Sequence, residues 1–131
     1  MIAFDWPVRV YYEDTDAGGV AYHATYLRWC ERARTEWLRS LGHGQRELVD
    51  RERLLFTVAS LQIDYRLPAR LDDALCIRTE ATGRGASVQF TQQVLHDNDC
   101  LALLQTRVAC VDALTMRPRR LPDFLRKQLE P

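Results

Sequence analysis

Two hydrophobic rhythms run along the chain, and the switch between them marks its elements. Trp6 to Tyr12, WPVRVYY, is rich in β-branched and aromatic residues, with Pro7 suited to an edge or to a strand start, and predicts strand one. Acidic and small residues follow in EDTDAGGV, where Gly18 and Gly19 break regular structure and let backbone approach a ligand, so this stretch is a loop. From Ala24 to Leu41 the apolar positions Tyr26, Cys30, Ala33, Trp37 and Leu41, flanked by Leu27 and Leu38, recur at helical spacing. That predicts one long helix of about 27 Å, ended by Gly42 and Gly44.

The remainder reads mainly as sheet. The pattern allows a short helical turn at Gln45 to Arg51, then gives a strand from Leu54 to Leu67 that stops at Pro68, with PARLDD as the next turn. Leu75, Ile77 and Thr79 alternate with other residues, Gly83 and Gly85 mark a reversal, and Val88, Phe90, Gln92 and Val94 alternate again, as two antiparallel strands would. HDND is a polar turn, Leu101 to Asp112 a last long strand, and the segment beyond Pro118 and Pro122 has room for a short helix. The order of elements implies an α+β fold in which consecutive strands meander antiparallel and the long helix lies across one face. Long edge strands with few prolines invite pairing with a second copy, so a symmetric assembly is expected.

A length of 131 residues suits one domain spanning 1–131, and 47% hydrophobic with 27% charged residues is ordinary globular composition. Eighteen Lys and Arg balance eighteen Asp and Glu, so no global field draws nucleic acid or anionic lipid. Cys30, Cys76, Cys100 and Cys110 are too widely spaced for a C-x-x-C pair and read as reduced, mostly buried thiols. Charged or Gln residues interrupt every apolar run well short of the ~20 residues that cross a bilayer. With no secretory leader before strand one, the expectation is a cytoplasmic protein without membrane insertion.

The chemistry concentrates in Tyr11 to Trp29, YYEDTDAGGVAYHATYLRW, where two acids, two glycines and a histidine stand immediately before the helix. Free N–H groups and the positive dipole end at a helix start stabilise a developing oxyanion, and an acid upstream supplies the attack. On these residues alone, Asp14 or Asp16 capping an Asx turn and His23 as a surface imidazole is an equal reading. A metal held by Asp14, Asp16 and His23 lacks a spacing signature, and no metal or other cofactor is expected. A Cys or Ser nucleophile paired with His23, His43 or His96 lacks a local motif, and neither a phosphate loop nor a G-x-G-x-x-G sequence is present.

The segment VRVYYEDTDAGGVAYHATYLRWCERARTEWLR resembles the hydroxybenzoyl-CoA thioesterase branch of the hotdog proteins, especially the YbgC-type acyl-CoA thioesterases associated with the Tol–Pal system. YRLPARLDD and CVDALTMRPRRLP extend the resemblance over nearly the whole chain. It implies a hotdog fold, a long central helix wrapped by a five-stranded antiparallel sheet, assembled as a homodimer or homotetramer with sites at the subunit interface. It puts the catalytic carboxylate on Asp16, as nucleophile or general base. The oxyanion donor falls seven positions later, on the backbone N–H of His23, and Gly19, Val20 and Tyr22 are expected at the substrate. The expected reaction is hydrolysis of an acyl-CoA, short aliphatic chains favoured, with acyl carrier protein as a possible partner. Asp14 is assigned a structural role, Tyr26 is more often a packing residue at such a position, and Arg117, Arg119 and Arg120 form a basic cluster that is either a CoA-phosphate contact or a solvated surface run. The alternatives are a non-enzymatic acyl or carrier-protein binding partner tied to Tol–Pal, and a hotdog dehydratase or hydratase.

Overall fold

The computed structural model describes residues 3–129. Its strands are β1 (Phe4–Arg9), β2 (Leu54–Tyr65), β3 (Ala74–Arg84), β4 (Ser87–His96) and β5 (Asp99–Asp112), and its helices α1 (Thr25–Ser40), α2 (Gln45–Glu52) and α3 (Asp123–Leu129). The strands form one antiparallel sheet in the order β1-β3-β4-β5-β2, and α1 packs across β1, β3 and β4. This is the hotdog arrangement expected from the resemblance. No helix among the described residues is long and apolar enough to cross a membrane.

The meander predicted from the strand run extends only to β3, β4 and β5. Two-residue turns join them, with Gly85 and Asp97 at positive φ. β2 instead pairs with β5, from Leu54 opposite Asp112 to Tyr65 opposite Ala102, because α1 and α2 carry the chain past the sheet to its far edge. PARLDD is therefore not a tight turn but part of a crossover between strands that do not pair, held where Arg66 and Leu67 N–H both bond the Leu101 carbonyl. Gly83 is not the reversal either. It lies inside β3, where a Cβ would come within 2.9 Å of the Leu129 side chain, so its bareness lets α3 seat on the sheet.

Strand one also ends earlier than its composition suggests. Its ladder with β3 stops at Arg9 opposite Ala74, Val10 turns its backbone to Asp72 and Asp73, and residues Tyr12–Asp14 wind into a 3-10 turn. The Asp14 carboxylate accepts the Tyr11 N–H and makes that turn favourable locally, overriding the β preference of three tyrosine and valine positions. β1 is an edge strand, as Pro7 requires.

The buried face of α1 comprises Tyr26, Trp29, Cys30, Ala33, Trp37 and Leu38; Trp29 lies outside the stripe read from the sequence. Gly42 at φ +94 ends the helix. Two apolar clusters fill the space beneath it. One gathers Val10, Tyr26, Trp29, Ile77, Val94 and Leu104, the other Trp37, Val88, Phe90, Val108, Leu121 and Leu125. A polar belt of Thr79, Gln92 and Thr106, each fully buried, runs across the inner face of the sheet between them. Gln92 donates to the Cys30 carbonyl at 2.9 Å and to Thr79 Oγ1 at 3.0 Å, and accepts from the Arg34 guanidinium at 2.9 Å. Helix and sheet are thus tied by hydrogen bonds in the middle of the core.

Candidate active site

The loop between β1 and α1 is built around Asp14. Besides the Tyr11 N–H on its carboxylate, its carbonyl accepts the Tyr22 N–H at 2.8 Å and the Thr25 hydroxyl at 3.3 Å. Asp14 is buried and shapes the loop through these bonds. The metal trio considered from the sequence is not gathered, since among the described residues no three His, Cys, Asp or Glu side chains converge.

Beyond Asp14 the chain folds back on itself. Thr15 pairs with Ala21 as an antiparallel bridge, Asp16 N–H donates to the Val20 carbonyl at 2.9 Å, and Gly19 N–H donates to the Asp16 carbonyl at 3.1 Å. Gly19 sits at φ +80, a conformation that costs an L side chain strain. The Gly18 N–H donates to Asp16 Oδ1 at 2.8 Å, and Asp16 is otherwise exposed. The sequence left an Asx turn and a reactive carboxylate as rival readings; the geometry has the Asx turn, and the second carboxylate oxygen of Asp16 bonds to no described residue.

The start of α1 is open. Its N-cap position is Ala24, which has no side-chain acceptor, and the backbone N–H of His23 bonds to no described residue. Unpaired donors here coincide with the positive end of the helix dipole, so the site suits a negative oxygen. The peptide unit that carries the His23 N–H is held at its own carbonyl, that of Tyr22, which accepts the Thr25 N–H at 2.9 Å, and the next carbonyl, that of His23, accepts the hydroxyl of Tyr65 at the end of β2 at 2.6 Å. Tyr65 stands edge-on to Tyr26 at 5.2 Å, and the Tyr26 hydroxyl accepts the Ala69 N–H at 2.9 Å. Burial raises the Tyr26 and Tyr65 hydroxyls above the ordinary phenol range, so both remain protonated donors at neutral pH.

A cleft of about 250 Å³ opens at this point, lined by Ala21, His23, Tyr26, Tyr65 and Leu67 among others. The structure therefore brings His23 and Tyr26 to the cleft and adds Tyr65, which nothing local in the sequence singles out. Asp16, Gly19, Val20 and Tyr22 are not among the residues lining this cleft in a single chain. Gly19 and Val20 form the loop tip beside Asp16, Val20 bridges to Arg70, and the Tyr22 ring rests against the His23 imidazole at 4.3 Å.

Arg119 donates to the carbonyls of Glu52 and Arg53, so the Arg117, Arg119, Arg120 run is not a cluster of three free cations. Cys30 and Cys110 are buried, and desolvation pushes their thiols up to about 12 and about 11, away from nucleophilic chemistry. His43 stacks on Phe124 at 3.7 Å, and His96 lies 3.7 Å from Asp73.

Comparison with known proteins gives a consistent answer. A family model described as the thioesterase superfamily matches residues 18–103, beginning two positions after Asp16. The acyl-CoA thioester hydrolase YbgC of Escherichia coli O157:H7 is 53% identical over 124 residues, covering 93% of this chain and 92% of that protein. The acyl-CoA thioesterase YbgC of Haemophilus influenzae is 48% identical over 120 residues, covering 91% and 88%. Among solved structures, a probable thioesterase from Bartonella henselae superposes with a TM-score of 0.87 at 36% identity, covering 92% of this chain and all of that one.

Proposed function

Because the chain belongs to the thioesterase superfamily, in its YbgC-type acyl-CoA thioesterase branch, we propose that it hydrolyses short aliphatic acyl-CoA thioesters to the free acid and CoA. The observation that carries this reading is the unpaired His23 N–H just before the start of α1, on a residue that lines a cleft, with an exposed Asp16 carboxylate on the preceding loop.

The thioester oxygen takes the His23 N–H, whose peptide unit is held by the Thr25 N–H on its Tyr22 carbonyl, with the Tyr65 hydroxyl on the following carbonyl, that of His23. Fixing the donor beforehand is what makes it effective, because no reorganisation is then needed as charge develops. Asp16 attacks the carbonyl carbon, the C–S bond breaks, CoA leaves as the thiolate, and water cleaves the resulting anhydride to acid and carboxylate. In the competing route Asp16 takes a proton from water, which attacks the carbonyl directly. After single turnover in oxygen-18 water, label in the Asp16 carboxylate requires an anhydride attacked by water at its Asp16 carbonyl, whereas label in the product acid alone fits either the general-base route or attack of water on the acyl carbonyl of the anhydride.

The working assembly is a homodimer joined through the outer edge of β2. That edge is 12 residues long, and Val58, Leu61 and Tyr65 on it are 50%, 43% and 44% exposed, an apolar strand edge of the kind proteins cover. It also carries Tyr65, so pairing there draws a second chain up to the cleft. Light scattering should give twice the chain mass, and a charged substitution such as Leu61→Glu should return the monomer.

The test of the activity is thiol release from a panel of short, long and aromatic acyl-CoAs, wild type against Asp16→Asn with matched circular dichroism. Loss of nearly all turnover in the variant is expected. Full activity in Asp16→Asn would remove Asp16 from the mechanism, and no turnover of any acyl-CoA by the wild type would overturn the hydrolase reading.

A further inference from the structure

The crossover from β2 to β3 ends in a tight turn, Arg70 to Asp73, closed by the Asp73 N–H on the Arg70 carbonyl at 3.1 Å. Its third residue, Asp72, stands at φ +70, a left-handed conformation that a residue with a side chain adopts at a cost. The Asp73 carboxylate offsets that cost: its Oδ2 accepts the Arg70 N–H at 2.9 Å and closes the turn a second time. The remaining oxygen, Oδ1, lies 3.7 Å from His96 Nε2, beyond hydrogen-bond distance, so the carboxylate acts on the backbone through Arg70.

One end of this turn is anchored. The Asp72 N–H donates to the Val10 carbonyl at 2.9 Å, the Val10 N–H to the Asp73 carbonyl at 3.0 Å, and the Arg9 guanidinium to the Asp72 carbonyl at 2.8 Å, which ties the turn to the chain just after β1. The other end carries the Asp16 loop. Arg70 bridges to Val20, the Ala21 N–H donates to the Ala69 carbonyl at 2.8 Å, and Val20 gives its own carbonyl to the Asp16 N–H. Asp14 holds the base of that loop, so the placement of its tip falls to Ala69, held by the Tyr26 hydroxyl, and to Arg70, held by Asp73. The Asp16 carboxylate bonds only to the Gly18 N–H of the same loop, so its position follows the backbone that carries it.

We propose that Asp73 is a positioning residue for thioester cleavage: its bond to the Arg70 N–H sets the crossover that carries Val20, and with it the reach of the Asp16 carboxylate toward the carbonyl held at His23. This rests on the reading of Asp16 as the attacking or water-activating group. A displacement of about 1 Å at a reacting group costs about 10²-fold in rate, so loss of the bond acts on kcat and leaves substrate affinity, which belongs to the cleft, in place.

The test compares wild type, Asp73→Ala and Asp73→Asn as full chains, by thiol release from butanoyl-CoA and by amide hydrogen exchange. Asp73→Ala should lower kcat roughly 10- to 100-fold with KM within about twofold. Its Ala21 amide should exchange about tenfold faster, while Thr79 and Gln92 in the β3–β4 ladder keep wild-type rates. Asp73→Asn keeps an oxygen for the Arg70 N–H and should return both kcat and Ala21 protection to within about threefold of wild type. The proposal falls if Asp73→Ala keeps kcat within about twofold, if its loss lies in KM alone, or if Asp73→Asn loses as much as Asp73→Ala. It falls equally if the ladder amides are released along with Ala21, which would make Asp73 a residue of general stability. Absence of thiol release from the wild type would sink the hydrolase reading, whereas unchanged Ala21 exchange in Asp73→Ala would sink the positioning role, so the two failures are read separately.

Discussion

Replacing Gln92 with Leu tests whether the buried belt holds helix to sheet. The two side chains are of similar volume, so no cavity opens, and the effect comes from hydrogen bonds. Three partners lose a bond: the Cys30 carbonyl, the Thr79 hydroxyl and the Arg34 guanidinium. Cys30 and Thr79 are fully buried and cannot turn to water, while Arg34 can regain part of its loss through the cleft that it lines with Trp37 and Phe90. At about 1 kcal/mol per lost bond, less about 1 kcal/mol for the better transfer of Leu into the core, the net cost is about 2 kcal/mol. A chain of this length has an unfolding entropy of about 0.28 kcal/mol/K, so Tm should fall by about 7 °C. Calorimetry at one fixed protein concentration is the assay, because any self-association makes Tm depend on concentration. A Tm within about 2 °C of wild type, or above it, would mean that the belt contributes no net stability and that Arg34 does not depend on Gln92.

His23 should matter through its backbone: His23→Ala should retain turnover within a few-fold, whereas His23→Pro, which deletes the N–H, should lower kcat by roughly 10²–10³-fold, both read by thiol release. Equal losses in the two variants would transfer the role to the imidazole. Alkaline pH should destabilise the protein, because burial lifts the Cys30 thiol from 9.0 to about 12. The folded-state value is raised, so the stabilisation is complete below about pH 9 and is lost as pH rises from there toward about 12, when the unfolded chain ionises its thiol and the folded one cannot. Cys30→Ala should flatten the fall of Tm with pH just above 9; an unchanged slope would assign that fall to other groups, such as Tyr26.

What the sequence determined by itself was local. The spacing of Tyr26, Cys30, Ala33 and Trp37 places a helix at 24–41, and α1 runs 25–40, because helical periodicity depends on neighbours three and four positions away. The alternation of β3 and β4, the polar turn at HDND and the irregular loop at EDTDAGG were legible for the same reason, and the motif around Asp16 and His23 marked the family and the place of the candidate site. Tertiary structure decided which elements meet. β2 joins β5 instead of its sequence neighbour, since strand pairing is settled by where α1 and α2 deliver the chain and not by the strand's own composition. Tyr65 reaches the His23 carbonyl across 42 positions, and Gln92 reaches Arg34 across 58, contacts that no local pattern encodes. Gly83 looked like a turn residue and proved to be a seat for α3, because a glycine's local freedom and its lack of a side chain are indistinguishable until the neighbour that needs the space is in place.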